Sequence, residues 1–339
     1  MTISSAPRLA AGSVPFFATG KRSRDLAQEM GISEAELLDR HDGPEVVRLT
    51  ASMRELIEAL PSLGEVMALT RNEGAVHEKV GPFGNIKISG GVGLVLNDAI
   101  DLRMFLKHWV SAFAVEIPDD KGPRRSLQVF DAGGEAVIKI HLKPQSDVTA
   151  FEAIRTRFAD PAPEPLQVAP ARPEPLPAQA FDAEGFRKAF AEMQDVHEFH
   201  PLLTKFGADR HTALRALDAE HVRLLPNSAA RAMLEQASSR GLPIMCFVGN
   251  KGCIQIHHGA VKTIKVIGPW VNVLDPGFNL HLREDLVTET WEVRKPTKHG
   301  LVTSIELYAE DRSLIAQFFG VRDEHAPEDG NWRALVASL

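Results

Sequence analysis

His197 stands in Met193-Gln194-Asp195-Val196-His197-Glu198-Phe199-His200, a short stretch between two helical patterns. A neutral imidazole is a good ligand for a transition metal. Further along, Trp291-Glu292-Val293-Arg294-Lys295-Pro296-Thr297-Lys298 carries three cations, Arg294, Lys295 and Lys298. Guanidinium and ammonium groups pair with anionic oxygens. An imidazole together with such cations suits an apolar ligand that contains a metal and bears anionic substituents.

These residues gain meaning from what stands opposite them in an internal repeat. Shifting the sequence by 178 residues lays Val66–Leu142 on Ile244–Gly320 without a gap, with 14 identities in 77 positions. Met67 meets Met245, Asn72 meets Asn250, Gly74 meets Gly252, and Ser126 meets Ser304. Nearer the helices the offset is 176, which sets Lys21 opposite His197. The first copy therefore lacks this histidine. It reads FAVEIPDD, without a cation, where the second reads WEVRKPTK, and Arg103 faces His281. A duplicated scaffold with a ligand-capable residue in one copy predicts one primary site. Haem fits the set, with imidazole on iron and cations on propionates. His77, in AVHEKV, is a second candidate ligand, since its counterpart Gln255 is no comparable iron ligand. A strand histidine in an ordinary hydrogen bond explains His77 equally. Of the 13 histidines, His257, His258 and His299 read as surface or turn residues.

A chain of 339 residues predicts about two domains. A net charge of −7 and a pI near 6.0 argue against a nucleic-acid surface. Cys246 and Cys253 form neither CxxC nor CxxCH, so free buried thiols are expected, in keeping with a reducing compartment. GxSxG, HExxH, GxxxxGK[ST] and GxGxxG are all absent. Any nicotinamide or flavin reductant would come from a partner. No long apolar run and no leader pattern is present, which predicts a cytoplasmic protein without membrane insertion.

Residues 158–179, ADPAPEPLQVAPARPEPLPAQA, read as an extended proline-rich linker. It separates an N-terminal repeat (1–157) from a C-terminal repeat (180–339). Helical periodicity marks Arg24–Met30, Ser33–Arg40 and Met53–Leu60 in the first, with Ser33 and Glu36 forming a capping box. In the second it marks Asp182–Met193, Leu202–Phe206, Arg210–Leu217 and Ser228–Ser238. Alternating strand-like runs follow in both, joined by turns such as Gly133-Gly134 and Asp311-Arg312. The expected fold is α+β: two tandem repeated halves, each a large antiparallel sheet with leading helices, the sheets packed around a pseudo-twofold axis.

At these residues the chain resembles the bacterial HemS/ShuS/PhuS/HmuS family of cytoplasmic haem-trafficking and haem-degrading proteins. The resemblance spans residues 20–338 and rests on ALTRNEGAVHEKVG, DLRMFLKHW and SLQVFDAGGEAVIKI in the first half. In the second it rests on DVHEF, FVGNKGCIQIHHG, WVNVLDPGFNLHLRED, WEVRKPTKHGLVTSIELY and AQFFGVR. It implies haem b as ligand and His197 as its axial iron ligand. Arg210 and Lys295 would be partners for the haem edge or propionates. Arg103 and Phe105, in DLRMF, would form the distal wall, and Phe247 would pack against the ring. It implies an inner-membrane importer as haem source, and a haem oxygenase or reductase as partner. Haem carriage and oxidative ring opening with an external electron donor need overlapping residues, so both stay open.

Overall fold

The computed structural model describes residues 20–169, 181–323 and 326–339. The first half contains α1 (Ser23–Glu29), α2 (Glu34–Asp39), β1 (Val46–Leu49) and α3 (Met53–Ala59). Eight strands follow: β2 (Glu65–Arg71), β3 (Ala75–Pro82), β4 (Ile86–Ser89), β5 (Val92–Leu96), β6 (Asp101–Phe105), β7 (Ser111–Ile117), β8 (Arg124–Phe130) and β9 (Ala136–Leu142). Helix α4 (Val148–Phe158) ends it. The second half opens with α5 (Ala183–Ala191), α6 (Phe199–Phe206), α7 (Arg210–Arg215), β10 (Val222–Leu225) and α8 (Ala229–Arg240). Then come β11 (Ile244–Gly249), β12 (Cys253–Gly259), β13 (Ile264–Ile267), β14 (Trp270–Asp275), β15 (Phe278–Arg283), β16 (Glu289–Thr297), β17 (Gly300–Tyr308) and β18 (Leu314–Gly320). Helix α9 (Gly330–Ala337) closes the chain.

The repeat is obeyed down to irregularities. The β8–β9 ladder slips at Val129/Phe130 and the β17–β18 ladder at Leu307/Tyr308, the same place in each copy. Gly134 in the first turn has φ +76°, and Arg312, its counterpart, adopts φ +67°. Helix starts follow local chemistry. The Ser33 hydroxyl accepts from Glu36 N while the Glu36 carboxylate accepts from Ser33 N, the expected capping box. Ser52 and Glu55 do the same for α3. Helix α8 runs on where the first half has only a turn at Leu60–Leu63, which absorbs the change of offset from 176 to 178.

Two nine-stranded sheets run β1-β7-β8-β9-β2-β3-β15-β14-β13 and β10-β16-β17-β18-β11-β12-β6-β5-β4. The second order is the first with the copies interchanged. The repeat is thus realised with exchange: each sheet takes three edge strands from the opposite half of the sequence. By contacts the chain divides into two compact units, between which only two short segments are exchanged. One comprises the chain up to Arg71, Glu78 to the linker, and Gly249–Gln255. The other comprises Asn72–His77, the linker to Val248, and Ile256 to the C-terminus.

Within the first unit, Leu56, Ile57, Val66, Leu102, Leu127 and Phe151 bury together, and α1 and α2 pack Leu37 and Leu38 on Phe113 and Phe130. The exchanged segment is pinned there by Asn250. Its Nδ2 donates to Arg71 O at 3.0 Å and Val137 O at 2.9 Å, and its Oδ1 accepts from Gly252 N and Cys253 N, both at 3.0 Å. In the second unit, Asn72 Nδ2 donates to Ile315 O at 2.8 Å, and its Oδ1 accepts from Gly74 N and Ala75 N. One core there lies under α8 and α9, with Met233, Ile244, Ile305, Phe318 and Trp332. Another gathers Phe186, Phe190, Phe199, Leu214, Val293 and Tyr308 beneath α5, α6 and α7.

The first residues of the proline-rich stretch stay on the first unit: Asp160 N donates to Arg48 O, Leu166 N to Asp39 Oδ2, and Ala169 N to Ala132 O. The rest of the expected linker, 170–179, lies outside the described residues. Both cysteines are buried and free, as expected. Burial pushes both thiols up, Cys253 to about 12. Among the described residues no helix is long and apolar enough to cross a membrane.

Candidate functional site

His197 lies on a single 3-10 turn, Val196–Glu198, that leads directly into α6. Asp195 builds this turn. Its Oδ1 accepts from His197 N at 2.8 Å and lies 2.7 Å from His197 Nδ1. The backbone bond, with the ring contact adding to it, holds the Asp195 carboxyl below its ordinary value. An ionised carboxylate only accepts, so in the neutral imidazole the proton sits on Nδ1 and Nε2 carries the lone pair. The histidine side chain is 74% exposed, so that lone pair is available to an incoming ligand. Lys298 N donates to Gln194 O at 3.0 Å, which fastens the β16–β17 hairpin to this turn.

Next in the chain, Phe199 turns into the core and carries the cations. The Arg210 guanidinium lies 4.8 Å and the Lys295 ammonium 5.3 Å from its ring centroid. Lys295 is also 5.6 Å from the Phe319 ring, which meets Phe247 at 5.2 Å. Arg210 is the first residue of α7, whose start is capped by Asp209 accepting from Thr212 N. Lys295 projects from β16. Helix and strand place both cations on one acid, Glu306 of β17. Arg210 reaches it through Nε at 2.7 Å and Nη2 at 2.6 Å, and Lys295 through Nζ at 2.8 Å. Strand alternation puts Ser304, Glu306 and Tyr308 on one face, and Ile305 and Leu307 on the other, in the core under α8.

Burial works against the charged Glu306, but Arg210 and Lys295 outweigh it and hold the carboxyl well below its usual range. Burial pushes the Lys295 ammonium down to about 8, against the pull of Glu306. It raises the Tyr308 phenol, with Glu306 adding to the effect. Arg210 is held above its ordinary value because Glu306 overcomes the cost of burial. The structure thus brings His197, Arg210, Lys295 and Phe247 into one unit, linked by Phe199, Phe319 and Glu306.

Arg103 and Phe105 sit on β6 in the first unit, where Arg103 pairs with Asp101. His77 is fully buried, with its ring 4.9 Å from Phe278. His257, expected at the surface, is also buried, stacked on the same ring at 3.8 Å. Strand β12 turns it inward while His258 faces out. Glu306, Phe199 and Phe319 were not foreseen. The available signal for Glu306 was the repeat: Gln128 stands at its position in the first copy.

The chain was compared with known proteins. Residues 31–158 and 207–339 match the family model of the haemin-degrading HemS.ChuX domain. The chain belongs to the HemS family. It is 42% identical over 322 residues to the hemin transport protein HmuS of Yersinia pestis, covering 94% of this chain and 93% of that one. It is similar to holo-PhuS, a heme-binding protein from Pseudomonas aeruginosa, with 42% identity and a TM-score of 0.91 over 95% of this chain and 94% of the other. ChuS of Escherichia coli O157:H7, a heme degrading enzyme, matches with 38% identity and a TM-score of 0.89 over 95% of both chains.

Proposed function

We propose that this HemS-family chain binds haem b as cargo in the cytoplasm, taking it from an inner-membrane importer and passing it on. One observation carries the reading. The second unit sets an exposed histidine, its Nδ1 fixed by Asp195, two positions before a phenylalanine that supports two cations. In this reading His197 Nε2 ligates the iron. Arg210 and Lys295 attract the propionates. Phe247 packs near the macrocycle. The resemblance to HmuS and holo-PhuS supports haem over other metal-bearing ligands.

A second reading is favoured by the resemblance to ChuS, named as a heme degrading enzyme. There the same site would hold haem for ring opening, with electrons from a partner reductase; in the carrier reading the partner is a haem oxygenase that accepts the haem. A second haem at His77 would require its ring to leave Phe278, and would show as two equivalents bound in wild type and one in His77→Ala.

The test is hemin titration followed at the Soret band, then single turnover with a reductase, NADPH and catalase. His197→Ala should bind hemin more weakly or with another ligand set; an unchanged spectrum and affinity would remove His197 as ligand. A defined tetrapyrrole and carbon monoxide, formed despite catalase, would establish the enzyme. A stable reduced complex would establish the carrier.

A further inference from the structure

Glu306 receives six donors on two oxygens. Oε1 accepts from Arg210 Nη2 at 2.6 Å, Lys295 Nζ at 2.8 Å, Gln317 Nε2 at 3.0 Å and Ser304 Oγ at 3.1 Å. Oε2 accepts from Arg210 Nε at 2.7 Å and Tyr308 OH at 2.8 Å. No part of its side chain reaches solvent. Two cations meet one carboxylate, so these three side chains carry one positive charge in excess.

We propose that Glu306 is the positioning residue that presents Arg210 and Lys295 to a ligand's carboxylates. The fork consumes Nε and Nη2 of Arg210 and leaves Nη1 for another acceptor. Lys295 spends one N–H on Glu306 and one on Ser304 at 3.3 Å, and the third is uncommitted. Arg210 is 24% exposed and Lys295 only 4%, so Arg210 meets the ligand first and Lys295 supplies charge from beneath. The inference rests on the haem reading above and names what makes that site select a free carboxylate.

The repeat indicates that the acid is not there for the fold. Gln128 stands at the position of Glu306, Ile117 at that of Lys295, and Glu34 at that of Arg210. Strand β8 builds the same ladder with Gln128, whose Nε2 donates to Ser126 Oγ at 3.0 Å. The first copy pairs its helix residue with reversed charge: Glu34 binds Lys139, which stands where Gln317 does. The arrangement of two cations on residue 306 belongs to the copy that has the histidine.

Glu306→Gln tests this. A glutamine places one N–H against Arg210 or Tyr308, so the fork opens, and a buried Lys295 beside Arg210 without a counter-charge sheds its proton. Hemin should bind about tenfold or more weakly, the size of one lost charged hydrogen bond. Hemin dimethyl ester should bind nearly as in wild type, and Glu306→Asp should recover part of the loss. Equal weakening of hemin and ester, or no weakening of either, would overturn the proposal. In ligand-free protein labelled with 15N-arginine, the Arg210 Nε–H should exchange slowly with water in wild type and fast in Glu306→Gln. Fast exchange with an unchanged hemin-to-ester ratio would overturn it too. Equal affinity of wild type for hemin and ester would instead defeat the propionate reading and this proposal with it, whereas the exchange arm would still show whether Glu306 holds the cations.

Discussion

Asp195 Oδ1 lies 2.8 Å from the backbone nitrogen of His197 and 2.7 Å from its ring Nδ1, so one oxygen fixes both the turn and the imidazole on it. The exposed histidine is oriented before any ligand arrives. A carboxylate hydrogen-bonded to one ring nitrogen raises the basicity of the other.

Removing that carboxylate has a specific consequence. Asp195→Ala should lower hemin affinity by roughly 10–100-fold, the usual cost of losing an outer-shell partner. Asp195→Asn, which can still cap the turn, should fall between the two. Soret titration reads this directly. Wild-type affinity in the alanine variant would show that Asp195 only closes the turn.

The charge of Lys295 makes binding pH-dependent. Its folded pKa, about 8, lies below the ordinary 10.5 because of burial. As pH rises through 8, folded Lys295 loses a proton that the unfolded chain still keeps. The folded state therefore gains stability up to about 10.5 while losing the charge that attracts a carboxylate. Hemin affinity should decline above pH 8 in wild type, and that decline should be absent in Lys295→Met. A flat wild-type profile, or the same decline in both proteins, would count against a role for the ammonium.

The exchanged segment of the first unit depends on Asn250. Asn250→Ala leaves the carbonyls of Arg71 and Val137 and the amides of Gly252 and Cys253 without this partner. Each unsatisfied buried group costs about 1–3 kcal/mol, so urea unfolding should show a loss of at least about 2 kcal/mol. Asn72→Ala removes the bonds to Ile315 O, Gly74 N and Ala75 N in the second unit and should destabilise the protein as well. Equal midpoints for Asn250→Ala and wild type would mean that water replaces the side chain at no cost.

Much of this molecule was legible in its residues. The 178-residue repeat marked six strands in each half, because both copies must alternate inward and outward residues in the same register, while β1, β5 and β6 and their counterparts β10, β14 and β15 were missed. Ser33 and Glu36 marked a helix start, since their reciprocal bonds are purely local. Helices α4 and α9 were missed, although Phe151, Ile154 and Phe158 stand at helical spacing in VTAFEAIRTRF. Strand exchange was invisible, because a repeat says which strands are alike and not which copy pairs with which. Glu306 was missed for a related reason. Ser304, Glu306 and Tyr308 alternate with Ile305 and Leu307, the pattern of a solvent-facing strand. Here helices α5, α6 and α7 cover that face, and only cations brought from α7 and β16 make an acid tolerable there.

The exchange of Asn72–His77 and Gly249–Gln255 also constrains how the chain is made. The ribosome releases most of the first unit long before Gly249–Gln255 exists. Until that segment emerges, the nascent first half lacks its Asn250 clasp and must wait with an open seam. A cut in the linker would yield two fragments that each carry a segment of the other's unit, so the halves are separable in the genetic text but not in the folded object.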